Sequence, residues 1–272
     1  MFLIIFLVLF PVLSQGEVST FSRCAIFFFN GNPPTIFRNN NRYKQICQCL
    51  QSQPGFYYAT FYDTTNRIPV YSAYLFDHGN TNRSQSWKIE PEYNYYHYVS
   101  CCLQLDGFPG RCMRGGLRGI GQNQAKNTDY ANPMTVNNYD KGHLYPVRHT
   151  STEDKMKATF TLTNAAPQDR TFNRGHWSRH EENLVNILKA CPQAFVVTGV
   201  VPGAQTINNR VRVAAFYWSA YCCNNNGQLT SDGFIGPDQN GRVQNMPVQN
   251  LENILSDQNH YNLPFSVFQG NC

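Results

Sequence analysis

The sequence predicts an α+β fold, with a central, mainly antiparallel sheet flanked by helices and stapled by disulfides. Three observations predict it. Aromatic and β-branched runs of strand type outnumber helical patterns. Aromatic residues make up 14% of the chain and charged residues only 14%, against roughly 25% charged in an average soluble domain. Ten cysteines are spread from Cys24 to Cys272.

The elements follow in chain order. Residues 2–13 are apolar and uncharged, too short for a membrane span of about 20 residues. Ser14 and Gly16 are small residues placed for a cut after Gly16, so 1–16 reads as a secretory signal peptide although no Lys or Arg precedes the apolar run. The expected product is a secreted, extracellular single domain, 17–272. No later stretch is long and apolar enough to cross a bilayer. An even number of cysteines in a secreted chain reads as disulfides. The vicinal pairs and the Cys47-x-Cys49 spacing do not match paired C-x-x-C zinc knuckles. Their pairing stays open, but Cys272 as the last residue points to a stapled C-terminus. Asn82-Arg83-Ser84 is a glycosylation sequon.

Residues 56–62 and 68–76 read as a β-hairpin with a five-residue connection at 63–67. Residues 77–135 are rich in Gly, Asn and Pro and read as loop, tied down by Cys101, Cys102 and Cys112. A short strand is expected at 160–162. A helix is expected over 178–190, with Trp177, Leu184 and Leu188 along one face and Pro192 beyond its end. Residues 194–201 and 211–223 read as two strands joined by a loop containing Pro202-Gly203, and 248–255 as a last short helix. Neither a repeat nor a domain boundary is visible. The 19 Phe, 16 Tyr and 3 Trp exclude a disordered polyelectrolyte, and the composition lacks the Ala, Glu, Lys and Leu of a helical bundle. A net charge of +5 permits an anionic partner without demanding one.

The chemistry concentrates in residues 139–181. This segment holds Asp140-Lys141-Gly142-His143-Leu144-Tyr145-Pro146, then Leu162-Thr163-Asn164-Ala165-Ala166-Pro167-Gln168, then Asn173 through Glu181. Asn173, Trp177 and Glu181 are spaced to stack along one side of a helix. An amide oxygen and a carboxylate there are hard donors of the kind Mg²⁺ prefers. His143 follows a glycine in a polar turn, where a neutral imidazole can take a proton from water. Together these form a site for phosphodiester hydrolysis. Each piece has a plainer reading: His143 as a surface or capping residue, Asn173 as an N-cap, Glu181 as a solvated helix residue, Trp177 as core. His176 and His180 have the i, i+4 spacing of a zinc helix but lack the glutamate of H-E-x-x-H. P-loop, G-x-S-x-G and dinucleotide fingerprints are absent from the sequence.

The ordered set D-[RK]-G-H-L, T-N-x-x-P-Q and N-x-x-x-W-x-x-x-E resembles the DNA/RNA non-specific endonuclease family. The likeness spans roughly residues 55–260. Within that family, residues 58–74, the Cys222-Cys223 pair and the terminal cysteine resemble the vertebrate endonuclease domain-containing 1 group. The resemblance implies a ββα-metal (His-Me finger) site. In it His143 is the general base, Asn173 the protein ligand of Mg²⁺ (or Mn²⁺ or Ca²⁺ in its place), and Glu181 a holder of water beside the metal. Asn164 orients the site, and Lys141 and Arg174 grip phosphate. DNA and RNA are the implied partners, without sequence specificity, because backbone contacts carry no base information. Arg148, Arg170, Arg174 and Arg179 cluster around the motif as candidates for an anion-binding groove. Lys141 stands where the family usually has arginine, which implies a weaker grip than a two-pronged guanidinium gives. Two rival readings remain: a catalytically weak or inactive nuclease-fold protein serving as a binding or defence module, and a small-molecule phosphodiesterase.

Overall fold

The computed structural model describes residues 17–18, 20–35, 37–38, 41–50, 55–79, 86–89, 114–115, 121–131, 138–239 and 241–272. The signal-peptide segment, the sequon and Cys101, Cys102 and Cys112 lie outside the described residues. In chain order the strands are β1 (Glu17–Val18), β2 (Tyr43–Gln48), β3 (Tyr58–Asp63), β4 (Ile68–Leu75), β5 (Lys88–Ile89) and β6 (Arg114–Gly115). They continue with β7 (Tyr139–His143), β8 (Ala165–Asp169), β9 (Gln193–Ile207), β10 (Val211–Asn225), β11 (Gln228–Pro237) and β12 (Gln244–Met246). Helix α1 is Glu153–Thr159 and α3 is Val248–Ser256. Between them α2 covers 170–188: one α-turn at Arg170–Phe172, a π-helical segment at Asn173–Trp177, and regular helix over Ser178–Leu188.

Eight strands form one sheet in the order β1-β2-β3-β4-β9-β10-β11-β12, and its pairings are all antiparallel. The expected α+β architecture is therefore the observed one. Strand β10 shows why the sheet is so aromatic. Its alternation sends Trp218, Ala220 and Cys222 into one core and Tyr217, Tyr221 and Cys223 to the other face. A sheet covered on both faces buries its strands whole, and each residue of β3 is buried, with Thr60 and Asp63 satisfied by hydrogen bonds. On the first face the N-terminal turns, α3 and the C-terminal residues Val267 and Phe268 cover the sheet. On the second, Phe172, Trp177 and Leu184 of α2 pack against it. Full burial of such a side chain contributes about 1.5–3 kcal/mol.

The described disulfides tie these layers together. They are Cys24–Cys47, Cys191–Cys223 and Cys222–Cys272, and Cys49 is also disulfide-bonded. Because neighbours on a strand face opposite ways, vicinal Cys222 and Cys223 staple opposite layers. Cys222 holds the C-terminal residue, and Cys223 holds the segment that follows α2.

Several expected boundaries move. Asp63 pairs with Ile68, so the hairpin connection has the four residues 64–67. Asp63 organises it by accepting from the backbone N–H of Thr65 and Asn66 at 3.0 and 3.1 Å. The strand expected at 160–162 is absent: Leu162–Asn164 is a single 3₁₀ turn, and the strand is the next segment, β8. Helix α2 starts at Arg170 rather than 178, because the Asp169 carboxylate accepts from the Phe172 N–H at 2.9 Å and caps it there. Pro202-Gly203 lies within β9, not in a loop. Pro202 sits opposite Ala214 beside register shifts, and β4 pairs with β9 only as far as Gly199, so the missing N–H costs no ladder bond on that side. Helix α1 and strand β11 were not expected. Helix α3 falls where the pattern put it.

Candidate active site

Strands β7 and β8 form a separate two-stranded ribbon, with His143 opposite Ala165 and Asp140 opposite Gln168. The chain leaves β8 directly into α2. A ribbon followed by a helix thus brings the first and third sequence motifs together, with the second at the start of β8. The ribbon lies tight on the sheet: Tyr217 of β10 donates to the Ala166 carbonyl at 3.0 Å. A side chain at Gly142 would collide with the Gln168 amide and the Tyr217 hydroxyl. Glycine is therefore required at the position before His143 for close approach.

His143 ends β7 and is not in a turn; it is 8% exposed. Its ring lies 4.7 Å from that of Trp87 and 4.8 Å, edge-on, from that of Phe160. Strand alternation puts Lys141 on the same side. The Lys141 Nζ sits 5.0 Å from the Trp87 ring centre and 5.5 Å from that of Tyr130, and donates to Asn127 Oδ1 at 3.0 Å. Burial lowers the pKa of Lys141, and the two ring faces offset part of that desolvation. Trp87 touches both residues and was missed by the sequence reading, since no motif contains it.

Asn164 is fully buried. Its Oδ1 accepts from Ser72 Oγ at 3.0 Å and from the Tyr145 N–H at 2.9 Å. Its Nδ2 donates to the carbonyls of Tyr145 and Thr159 at 3.0 and 2.9 Å. Every polar atom of the amide is committed to the chain, so Asn164 clamps the turn after His143 onto the start of β8.

On the opposite side of β7, Asp140 gathers three partners. Asn173 Nδ2 donates to it at 3.0 Å, and Arg174 grips both its oxygens at 2.8 and 2.9 Å. Arg170 Nε lies 3.4 Å away. Burial pushes the Asp140 pKa up, but the bonds from Arg174 and Asn173 outweigh it and hold the carboxyl below its usual range. Since a carboxylate only accepts, the Asn173 group facing it must be the NH₂, which fixes the amide with its oxygen turned elsewhere. Asp140, the first residue of the D-[RK]-G-H-L motif, is thus the residue that orients Asn173. Arg174 is held on Asp140, while Arg148 donates to the Ser178 carbonyl at 3.1 Å.

Glu181 lies two turns beyond Asn173 on α2. Its carboxylate adds to the effect of burial in raising the pKa values of Tyr74 and Tyr217. Its backbone carbonyl accepts from His149 Nε2 at 3.0 Å, and the Tyr74 hydroxyl donates to His149 Nδ1 at 2.9 Å. Burial lowers the His149 pKa to about 4, so this histidine is a neutral strut that fixes α2. His176 and His180 make no zinc pair: His176 Nδ1 is bonded to Arg179, and His180 Nε2 to Ser219 Oγ. Among the described residues, no group of three or more His, Cys, Asp or Glu side chains could hold a metal. The donor on offer is the Asn173 amide oxygen, and that suits a hard ion that keeps most of its water, such as Mg²⁺.

The fold is an antiparallel sheet carrying a ribbon-plus-helix module, and it has a counterpart among nuclease structures. A chain of the crystal structure of the EndoG/EndoGI complex superimposes with a TM-score of 0.51, covering 74% of this chain and 82% of that one at 19% identity. Residues 39–266 match the DNA/RNA non-specific endonuclease family, and the chain belongs to that family. It is similar to the endonuclease domain-containing 1 proteins of Homo sapiens, at 29% identity over 94% of this chain, and of Mus musculus, at 26% over 93%. The chain spans about half the length of these relatives, 49% and 48%.

Proposed function

We propose that this chain is a secreted, metal-dependent endonuclease that hydrolyses phosphodiester bonds of DNA and RNA without sequence specificity. The observation that carries this is the family match over residues 39–266, on a chain whose ribbon ends in His143 and runs on into a helix whose Asn173 amide is aimed by Asp140. In this reading His143 Nε2 or Nδ1 takes the proton of the attacking water, the aromatic rings of Trp87 and Phe160 hold the imidazole in place, and Lys141 pairs with the phosphate. Asn173 would hold Mg²⁺ through its amide oxygen, with Glu181 bonding to water nearby. The ion, when bound, supplies stabilisation of charge developing on phosphorus and the leaving oxygen. Asn164 acts as a positioning residue, by locking the Tyr145 backbone. Disulfides support export, since they persist in oxidising compartments.

Incubating the purified protein with supercoiled plasmid, single-stranded DNA and RNA, each with Mg²⁺ and with EDTA, tests the reading. All three are expected to be cut with Mg²⁺ and none with EDTA. Absence of cutting with Mg²⁺, Mn²⁺ and Ca²⁺ would leave a nuclease fold that only binds. Cutting of small phosphodiesters alone would make it a small-molecule enzyme.

A further inference from the structure

A second cationic feature lies on another face of α2. An open groove of about 430 Å³ runs between α2 and the segment leading into β12. Its walls include Arg179 and Asn183 of α2 and Arg242 and Asn245 opposite, over a floor of Phe234 and Val243. No carboxylate lines it. His176 completes the wall, and its bond with Arg179 has only one possible sense. A guanidinium can only donate, so Nδ1 accepts at 3.0 Å and the ring's hydrogen sits on Nε2. With His180 beside them, two guanidinium groups, an imidazole N–H and two amides can donate into the groove.

We propose that this groove binds the phosphodiester backbone of a nucleic-acid strand, as a site additional to the one on β7. This rests on the nuclease reading and deepens it. Arg170 and Arg174 face Asp140, so the arginines expected to grip substrate are partly spent there. Arg179 and Arg242 have no carboxylate partner among the described residues and face open space. An aromatic and aliphatic floor below a double guanidinium clamp fits sugar and phosphate, and reads no base edge. Arg179 lies six residues beyond Asn173, about 9 Å of helical rise. A strand of a few nucleotides, at about 3.4 Å each, covers that rise together with the turn around the helix. The groove therefore serves to hold a strand that continues past the reacting phosphate.

Binding of a fluorescent 20-nucleotide single-stranded DNA in EDTA, across a salt series, tests this. Relative to wild type, the Arg179→Ala/Arg242→Ala protein is expected to bind about tenfold or more weakly at low salt. The slope of log affinity against log salt should shrink by about 1.4, at about 0.7 per lost single-strand phosphate contact. Arg179→Lys/Arg242→Lys should recover most of the slope, with all thermal midpoints alike. Unchanged affinity and slope in the alanine protein would overturn the groove while leaving the nuclease reading intact. Wild type that fails to cut with any divalent ion, while the alanine protein still loses binding, would overturn the nuclease reading and keep the groove as a nucleic-acid site. If millimolar inorganic phosphate displaces the oligonucleotide and binding does not depend on oligonucleotide length, the groove takes a small anion and the strand proposal is wrong.

Discussion

Asp140 holds Asn173 by its amide nitrogen at 3.0 Å. This one bond decides which atom of Asn173 is available to a cation. Replacing Asp140 by Asn lets the Asn173 amide flip and releases Arg174. Loss of an orienting partner typically costs 10–100-fold in metal affinity. The Mg²⁺ concentration for half-maximal cleavage is expected to rise by about that factor. An unchanged Mg²⁺ dependence in Asp140→Asn would mean that Asp140 does not aim the amide.

Asn164 is a matter of stability before catalysis. Asn164→Ala removes four buried hydrogen bonds and leaves the carbonyls of Tyr145 and Thr159 and the Tyr145 N–H facing a void. Each unsatisfied buried group costs about 1–3 kcal/mol, so the variant is expected to lose several kcal/mol in urea titration. A loss under about 1 kcal/mol would show that the turn is held some other way.

Buried titratable groups give opposed pH dependences. Burial lowers His149 and His180 from 6.5 to about 4 and about 3. Between those values and 6.5 the unfolded chain binds more protons, so stability falls as pH drops below about 6.5. Asp238 behaves the other way. Burial raises its carboxyl from 3.8 to about 8 despite the backbone bond from Asp169. The folded state binds the extra proton across that window, so stability is lost as pH rises from near 4 to about 8 and is level above it. Asp238→Asn keeps an acceptor for the Asp169 N–H and removes this loss. Its urea midpoint should gain on wild type with rising pH and hold a constant gap above pH 8. Parallel curves for the two proteins would contradict the buried neutral carboxyl.

Lys141 offers one charged nitrogen between Trp87 and Tyr130, where the resembling family usually has arginine. A guanidinium adds a second, parallel hydrogen bond to the phosphate, and one such bond contributes about 0.5–1.5 kcal/mol. Lys141→Arg is expected to raise kcat/KM about fivefold on plasmid DNA, and no change would remove Lys141 from the phosphate.

Much of this was legible in the sequence because covalent order and local chemistry coincide. Trp177, Leu184 and Leu188 point inward as their helical spacing requires. The C-terminus is stapled as the last cysteine indicated. The hairpin joining β10 to β11 turns on Asn226 and Gly227, both at positive φ, an Asn-Gly turn signal hidden within an asparagine run. The site's second layer was not legible, because it is made by tertiary contact. Trp87 reaches His143 across a long sequence separation, and the bonds of Asn164 exist only after β7 and β8 pair. The expectation of a strand at 160–162 failed for the same reason: Asn164 pulls that segment into a turn.

The central claim is that His143 performs the proton transfer. It is tested most directly by comparing plasmid nicking in Mg²⁺ by wild type and by His143→Ala, with both proteins shown to be folded by equal thermal midpoints. A positioned general base contributes about 10²–10⁴-fold, so His143→Ala should nick slower by about that factor while binding DNA equally in EDTA. Equal nicking by the two proteins would contradict the account.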